Sequence, residues 1–166
     1  MTHIQLSHGG GGEETNNLIK DLFYKHFSND ILLKAEDAAL LSIDETIAFT
    51  TDSFTVSPIF FSGGNIGKLA IAGTVNDIAM MGAKPLYLSS SFIIEEGFAF
   101  TQLEAIVTTM RDELAKSGAK IVCGDTKVVP KGSVDKIFIN TSGIGALKKE
   151  GISAHNIQVG DAIIVS

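Results

Sequence analysis

The sequence predicts an α+β domain in which a β-sheet packs against helices. Predicted strands tend to come in adjacent pairs, without the strict strand–helix alternation of a doubly wound sheet. The chain has 166 residues, of which 45% are hydrophobic and 19% are charged. That length allows one domain that buries about 70% of the unfolded surface. The composition excludes a disordered tail and a coiled coil.

The first half of the chain predicts two helices around a pair of strands. A helix is expected over residues 14–27, because leucine and phenylalanine recur on one face and two glutamates precede it. The segments "DAALLSI" (37–43) and "TIAFTTDS" (46–53) predict two strands joined by a turn. A long helix is expected over 65–81, closed by the glycine and proline that follow it.

The second half predicts three strands, one helix and a final strand. "LYLSSSFIIEE" (86–96) is typical of a long strand, and residues 100–117 have the apolar spacing of an amphipathic helix. "AKIVCGDTKVV" (119–129) and "KIFINTSGIGAL" (136–147) predict two more strands. "GDAIIVS" (160–166) predicts a last strand, in which the sequence stops.

These elements define the expected domain boundaries. We expect residues 1–12, which end in "HGGGG", to be a flexible glycine-rich tail, because glycine loses the most backbone freedom on ordering. Residues 13–160 form the predicted main, ligand-binding domain, an assignment that depends on the site residues below. Residues 161–166 are interpreted as the start of a second domain that is missing, so we expect a fragment.

Charge and cysteine content exclude several classes of function. The net charge is −6, and no basic cluster interleaved with aromatic residues indicates a nucleic-acid surface. The single cysteine, Cys123, excludes an internal disulfide and a Cys-rich zinc site. Neither a signal peptide nor an apolar run of ~20 residues is present. The prediction is a soluble, cytoplasmic protein with no membrane partner.

One helical segment carries polar residues where its neighbours are apolar. In "LAIAGTVNDIAMMGAKP" (69–85), Asn76 and Asp77 lie on the same helix side as Gly73. Burying a carboxylate alone costs several kcal/mol, so Asp77 needs a partner or a metal. The alternative is a polar stripe that faces water. We favour a functional site, because Asn76 and Asp77 are adjacent in an otherwise apolar segment.

Four aspartates predict a site for a hard cation. Asp37, Asp52 and Asp125 each lie at a strand end or a turn. With Asp77 in its helix, they make four carboxylates that accompany apolar elements. Each alone is equally well explained as a turn or cap residue. Together they favour Mg²⁺, which binds oxygen ligands and commonly joins a few carboxylates to phosphate oxygens.

Two glycine-rich segments and one lysine suggest phosphate binding. "HGGGG" (8–12) and "SGGNIGK" (62–68) are each able to present backbone N–H groups to phosphates, and the second lies at a helix start. Neither is a Walker A loop, and for "HGGGG" alone a flexible tail is the preferred interpretation. Lys127 follows Asp125 by two residues, so on a strand the two side chains share a face. Lys127 could be a phosphate ligand, a base of lowered pKa or, in the commonest case, an ion-pair partner.

Four segments in order carry a family resemblance: "FTTDS", "FFSGGNIGKLAIAGTVNDIAMMGAKP", "GDTKVV" and "FINTSGIGAL". They resemble the amino-terminal half of the HypE family of hydrogenase maturation carbamoyl dehydratases, from about His8 to the last residue. That family shares a superfamily with AIR synthetase (PurM), thiamine-monophosphate kinase and selenophosphate synthetase. The resemblance implies a PurM-like amino-terminal fold, with a mixed sheet flanked by helices, and a homodimer whose sheet edges join into a barrel.

The resemblance also implies cofactors and site residues. ATP and Mg²⁺ would bind near Asp37, Asp52, Asp77 and Asp125, and the "HGGGG" segment would fold over the nucleotide. Lys127 and Asp77 are the implied catalytic residues. The implied nucleotide-binding residues are Gly9, Gly10, Gly11, Gly12, Asn65, Lys68, Asn76, Asp77 and Thr126.

The implied reaction dehydrates a carboxamide carried on the enzyme's own carboxy-terminal cysteine. ATP phosphorylates the amide oxygen, loss of phosphate leaves a thiocyanate, and its cyanide goes to the iron of [NiFe]-hydrogenase. The second domain and that cysteine are missing here, so we expect no turnover by this chain alone. The implied partners are the carbamoyl transferase HypF and the HypC–HypD scaffold. A small-molecule kinase of the thiamine-phosphate type and a dimerisation scaffold remain alternatives.

Overall fold

The computed structural model describes residues 2–36 and 38–164, in which a four-stranded mixed sheet is the central element. Its strands are β1 (Ile47–Phe54), β4 (Ala83–Glu95), β5 (Lys120–Val129) and β6 (Ile137–Leu147). The order across the sheet is β1-β6-β4-β5, with β4 and β5 parallel and the other neighbours antiparallel. The mixed sheet confirms the predicted α+β class.

Two further short strands form a hairpin before the second helix. They are β2 (Phe60–Phe61) and β3 (Gly64–Asn65).

Three helical elements accompany the sheet. The first, α1, is continuous but changes type, from an α-helix at Glu13–Leu18 through a π-helix at Ile19–Tyr24 to a last turn at Lys25–Phe27. The others are α2 (Ile66–Met80) and α3 (Phe100–Ser117), within one residue of their predicted bounds. No helix among the described residues combines the length and apolar character needed to cross a bilayer.

Three short 3₁₀ turns complete the regular structure, at Leu6–Gly9, Leu32–Lys34 and Ala154–Asn156.

The helices cover one face of the sheet and leave parts of the other open. α2 packs against β1 and β6 and against α3. Alternate residues of β6 are buried in this layer, whereas on β1 the residues of the other face are exposed, with Phe49 67% accessible. The core therefore lies between the sheet and the helices, as period-two strands predict.

Two predicted strands do not form among the described residues. Residues 38–43 of the segment "DAALLSI" form no strand, and β1 pairs with β6 instead of with this segment. Residues 160–164 are irregular and exposed, while 165 and 166 lie outside the described residues. An apolar run becomes a strand only where another strand offers a ladder of hydrogen bonds, and neither segment has such a neighbour.

The amino-terminal segment is docked on the domain, which corrects the prediction of a flexible tail. The amide of Ile4 donates to the carbonyl of Phe98 at 2.7 Å, and the amide of Gly97 donates back to Ile4 at 2.7 Å. The Ile4 side chain is 0% exposed and belongs to the main core. Residues 2–12 are thus part of the domain, because burying one large apolar side chain favours docking by about 1.5–3 kcal/mol.

Asn65 fixes the start of α2. Its Oδ1 accepts hydrogen bonds from the amides of Gly67 at 2.9 Å and Lys68 at 3.2 Å, and its Nδ2 donates to Thr109 Oγ1 of α3 at 2.9 Å. The side chain is buried, so one residue caps α2 and ties it to α3.

We therefore expect Asn65→Ala to lower the free energy of unfolding by about 1–3 kcal/mol, because the amides at the start of α2 lose the side-chain oxygen that accepts from them. Urea denaturation followed by circular dichroism measures this. Asn65→Asp, which keeps the capping oxygen, is the matched control and should lose less. Equal stability of the wild type and Asn65→Ala would contradict the capping role.

Candidate functional site

A cavity of about 790 Å³ lies beside β5. Its walls are formed by the glycine-rich segment, α1, β5, and residues within 31–36 and 38–40. Its volume falls within the ~300–1,000 Å³ typical of small-molecule sites. Of the predicted site residues it brings together a subset, namely Gly9, Gly10, Gly11, Asp125, Thr126 and Lys127.

The open end of this cavity is charged. Lys127 Nζ donates to Asp125 Oδ1 at 3.2 Å, with the side chains 62% and 58% exposed. The two residues thus share a strand face, as predicted. An exposed ion pair of this kind contributes about 0–1 kcal/mol, so the lysine can turn to an anionic ligand at little cost. Thr126, between them, is buried.

The glycine segment closes the cavity through a very close backbone approach. A Cβ atom on Gly9 would lie 2.4 Å from the backbone nitrogen of Val128, so a larger residue would push the segment off β5. Two of the backbone donors predicted to face phosphates are already used. The amide of Gly10 donates to the carbonyl of Ser7 at 3.2 Å, and that of Gly11 to Thr15 Oγ1 at 2.9 Å.

Gly12 is the N-cap residue of α1 and does not line the cavity. The segment therefore resembles a cover more than a cradle of free N–H groups.

A second polar group lies between β1 and α2. Thr50 Oγ1 donates to Asp77 Oδ2 at 2.9 Å, which links the strand to the helix. Asp52 of β1 lies beside α2, because a Cβ on Gly73, one helical turn before Asp77, would be 3.7 Å from Asp52 Oδ2. A Cβ on Gly73 would also lie 2.9 Å from the ring of Phe54, so glycine at this position allows α2 to approach β1 closely. Asn76 is exposed, and none of these residues lines the cavity.

The four predicted metal ligands do not meet within one chain, which corrects the expectation of a single cluster. Asp52 lies on β1 and Asp77 lies on α2 beside it, whereas Asp125 lies on β5 at the opposite sheet edge, about 14 Å from β1 at three strand spacings. Asp37 lies outside the described residues. No group of three potential ligands (His, Cys, Asp or Glu) suited to a metal occurs in residues 2–36 and 38–164.

The two predicted nucleotide ligands at the start of α2 have structural contacts. Asn65 caps the helix, and Lys68 Nζ donates to the carbonyl of Gly63 at 2.7 Å. Neither lines the cavity. Their roles in nucleotide binding stay predictions of the resemblance.

Several cavity residues escaped the sequence analysis. Ile19, Tyr24 and Phe27 of α1 line it, as do Ser90 and Cys123. Helical spacing made the α1 residues look like ordinary core, and no motif marks Ser90. Cys123 is half-buried, and desolvation raises the pKa of its thiol, so the cysteine is a weak nucleophile at neutral pH.

Comparison with known proteins places this domain in a family. The model of the AIR synthase related protein, N-terminal domain, matches residues 35–147, which include all four strands of the main sheet. The chain belongs to this family.

Within the AIR synthase related family, the chain is most informatively compared with HypE proteins. It is 47% identical over 173 aligned residues to the carbamoyl dehydratase HypE of Escherichia coli K12, covering 100% of this chain and 52% of that protein. The chain thus spans about half the length of the relatives it matches.

Solved structures give the same relationship. A structure of HypE in complex with ATP superposes with a TM-score of 0.86 at 51% identity, over 88% of this chain and 44% of that one. A chain from a HypE–HypF complex superposes with a TM-score of 0.62 at 58% identity, over 80% of this chain and 43% of that chain.

Proposed function

We propose that this chain is the ATP-binding and dimerising half of a carbamoyl dehydratase that acts in [NiFe]-hydrogenase maturation. The observation that carries the proposal is the 47% identity to a carbamoyl dehydratase across the whole of this chain. The superposition on a HypE that binds ATP supports a nucleotide as the ligand. The complete protein would use ATP to dehydrate the carboxamide on its terminal cysteine to a thiocyanate, the source of the cyanide ligand.

The cavity beside β5 is the proposed nucleotide site. Its open end holds Lys127, the cation suited to a triphosphate, and Gly9–Gly11 cover it. Its other end is lined by aromatic and aliphatic side chains. An elongated ligand with one charged end and one planar apolar end matches this arrangement, and ATP has that form.

Asp125 fits a role in holding Mg²⁺. The ion commonly binds through one or two carboxylates together with phosphate oxygens and water, so a site that includes Asp125 is compatible with Mg²⁺–ATP. When bound, Mg²⁺ would neutralise charge on the transferred phosphoryl group. Lys127 would stabilise the same charge. Asp52 and Asp77 remain candidate metal ligands on the basis of the family resemblance.

The open sheet face is the proposed surface of a homodimer barrel. Its exposed apolar residues include Phe49 of β1 and Ile93 of β4. A second copy is supported because exposed apolar patches on a sheet mark association sites. HypF is the proposed hetero-partner, on the likeness to the HypE–HypF complex, and HypC–HypD follows from the family resemblance alone.

Isothermal titration of the chain with ATP, with and without Mg²⁺, tests the nucleotide site. We expect Lys127→Ala to weaken binding of Mg²⁺–ATP by about 10- to 100-fold, because a hydrogen bond to a charged group contributes about 1.5–3 kcal/mol. Asp125→Asn should reduce the gain in affinity that Mg²⁺ gives. Asp112→Asn, an exposed α3 residue paired with Arg111, is the matched control and should bind as the wild type does.

Asp77→Asn in the same series decides whether the β1–α2 carboxylates take part. A loss of Mg²⁺–ATP affinity comparable to that of Asp125→Asn would place Asp77 in the site, and unchanged affinity would limit it to its bond with Thr50. If Lys127→Ala binds Mg²⁺–ATP as tightly as the wild type, the cavity is not the triphosphate site.

Light scattering coupled to gel filtration tests association. The wild type should have the mass of a dimer, and Phe49→Asp that of a monomer, because a charge would be buried in an apolar interface. Leu69→Asp, an exposed apolar position on α2, is the control and should remain dimeric. Adding HypF should increase the mass of the wild-type species. A monomeric wild type would contradict the proposed barrel.

A further inference from the structure

Thr15 ties the glycine segment to the start of α1. Its Oγ1 accepts a hydrogen bond from the amide of Gly11 at 2.9 Å and donates one to the carbonyl of Ser7 at 3.2 Å. The side chain is 7% exposed and lines the cavity. One hydroxyl therefore uses its donor and an acceptor site to close residues 7–11 into a compact loop.

The position of Thr15 in the helix explains this contact. Gly12 is the N-cap residue of α1, which makes Thr15 the third residue of the first turn. In a capping box, the side chain at this third position reaches back to the amide of the N-cap residue. Thr15 reaches one residue further back, to the amide of Gly11, and so connects the helix to the segment that precedes it.

Side-chain packing does not fix this part of the segment. A Cβ on Gly11 or Gly12 would meet no other described atom within 4 Å. Glycine also loses more conformational freedom on ordering than any other residue. The two contacts that hold the segment on the domain, the buried Ile4 and the approach of Gly9 to β5, both lie before this stretch. The conformation at Gly11 therefore depends mainly on Thr15.

We propose that Thr15 is a positioning residue for ATP, whose hydroxyl holds the glycine segment over the end of the cavity where Lys127 lies. The inference rests on the proposed nucleotide function and adds a residue that acts through the segment and not on the reacting atoms. A ligand binds more weakly when only a fraction of the protein has the binding-competent conformation. Removing the hydroxyl lowers that fraction, because the amide of Gly11 loses its acceptor and the carbonyl of Ser7 loses one donor.

Calorimetric titration of the 166-residue chain with Mg²⁺–ATP tests this role. Thr15→Val has nearly the same shape but no hydroxyl, and it should weaken binding by about 3- to 30-fold, as expected for one or two lost hydrogen bonds. Thr15→Ser keeps the hydroxyl and should bind ATP nearly as the wild type does. Thr141→Val is the matched control, because it removes a buried hydroxyl outside the cavity that is bonded to Thr74 and Ala70. It should lose stability to urea and keep its ATP affinity.

Amide hydrogen exchange supplies a readout that a general loss of stability would not give. In the ligand-free chain, the amide of Gly11 should exchange about 2- to 10-fold faster in Thr15→Val than in the wild type, because its hydrogen bond to Thr15 is lost. Thr15→Ser and Thr141→Val should show the wild-type rate at Gly11. The amide of Ile4, which donates to the carbonyl of Phe98, should keep its rate in Thr15→Val. NMR measures these rates residue by residue.

The outcomes separate this inference from the function on which it rests. Failure of the wild type to bind ATP overturns both. If the wild type binds ATP and Thr15→Val binds it as tightly, the positioning role is overturned and the nucleotide function stands. An equal loss of affinity in Thr15→Val and Thr15→Ser, or an unchanged exchange rate at Gly11 in Thr15→Val, likewise overturns the role given to the hydroxyl.

Discussion

The contact between Gly9 and the backbone of β5 is the constraint on which the cavity depends. With no side chain, Gly9 lets its segment reach the backbone of Val128, at a spacing where any Cβ would clash. The segment is anchored on its other side by the burial of Ile4. Between these two points it covers the end of the cavity where Lys127 lies. The composition of this segment suggests disorder. The segment is nevertheless held in place, because Ile4 is buried and Gly9 has no side chain to prevent contact with β5.

Strand order decides which polar residues are able to act together. Because β1 and β5 are the two edges of the sheet, Asp52 and Asp125 are separated by its full width. The cavity unites the glycine segment with Asp125, Thr126 and Lys127, while Asp77 is bonded to Thr50 on the other side. The domain thus offers one preformed ligand site and one separate carboxylate pair.

Local sequence patterns predicted the helices well, because the interactions that start and end a helix lie close together in the sequence. The α2 and α3 bounds follow from apolar spacing and from caps such as Asn65, which the sequence itself contains. Residues 38–43 do not form the expected strand, because a strand needs a partner elsewhere in the chain and β1 pairs with β6 instead. Proximity of Lys127 to Asp125 was predictable from their spacing of two, whereas the separation of Asp52 from Asp125 required the order of the strands. The docking of Gly9 and the π-helical turn at Tyr24 depend on tertiary contacts that no short motif records.

A crystal structure of this chain with Mg²⁺ and a non-hydrolysable ATP analogue tests the central claim most directly. The account predicts density for the nucleotide in the cavity between α1 and β5, with its phosphates beneath Gly9–Gly11 and near Lys127. Nucleotide density beside Asp52 and Asp77, with the cavity filled by solvent, would contradict it.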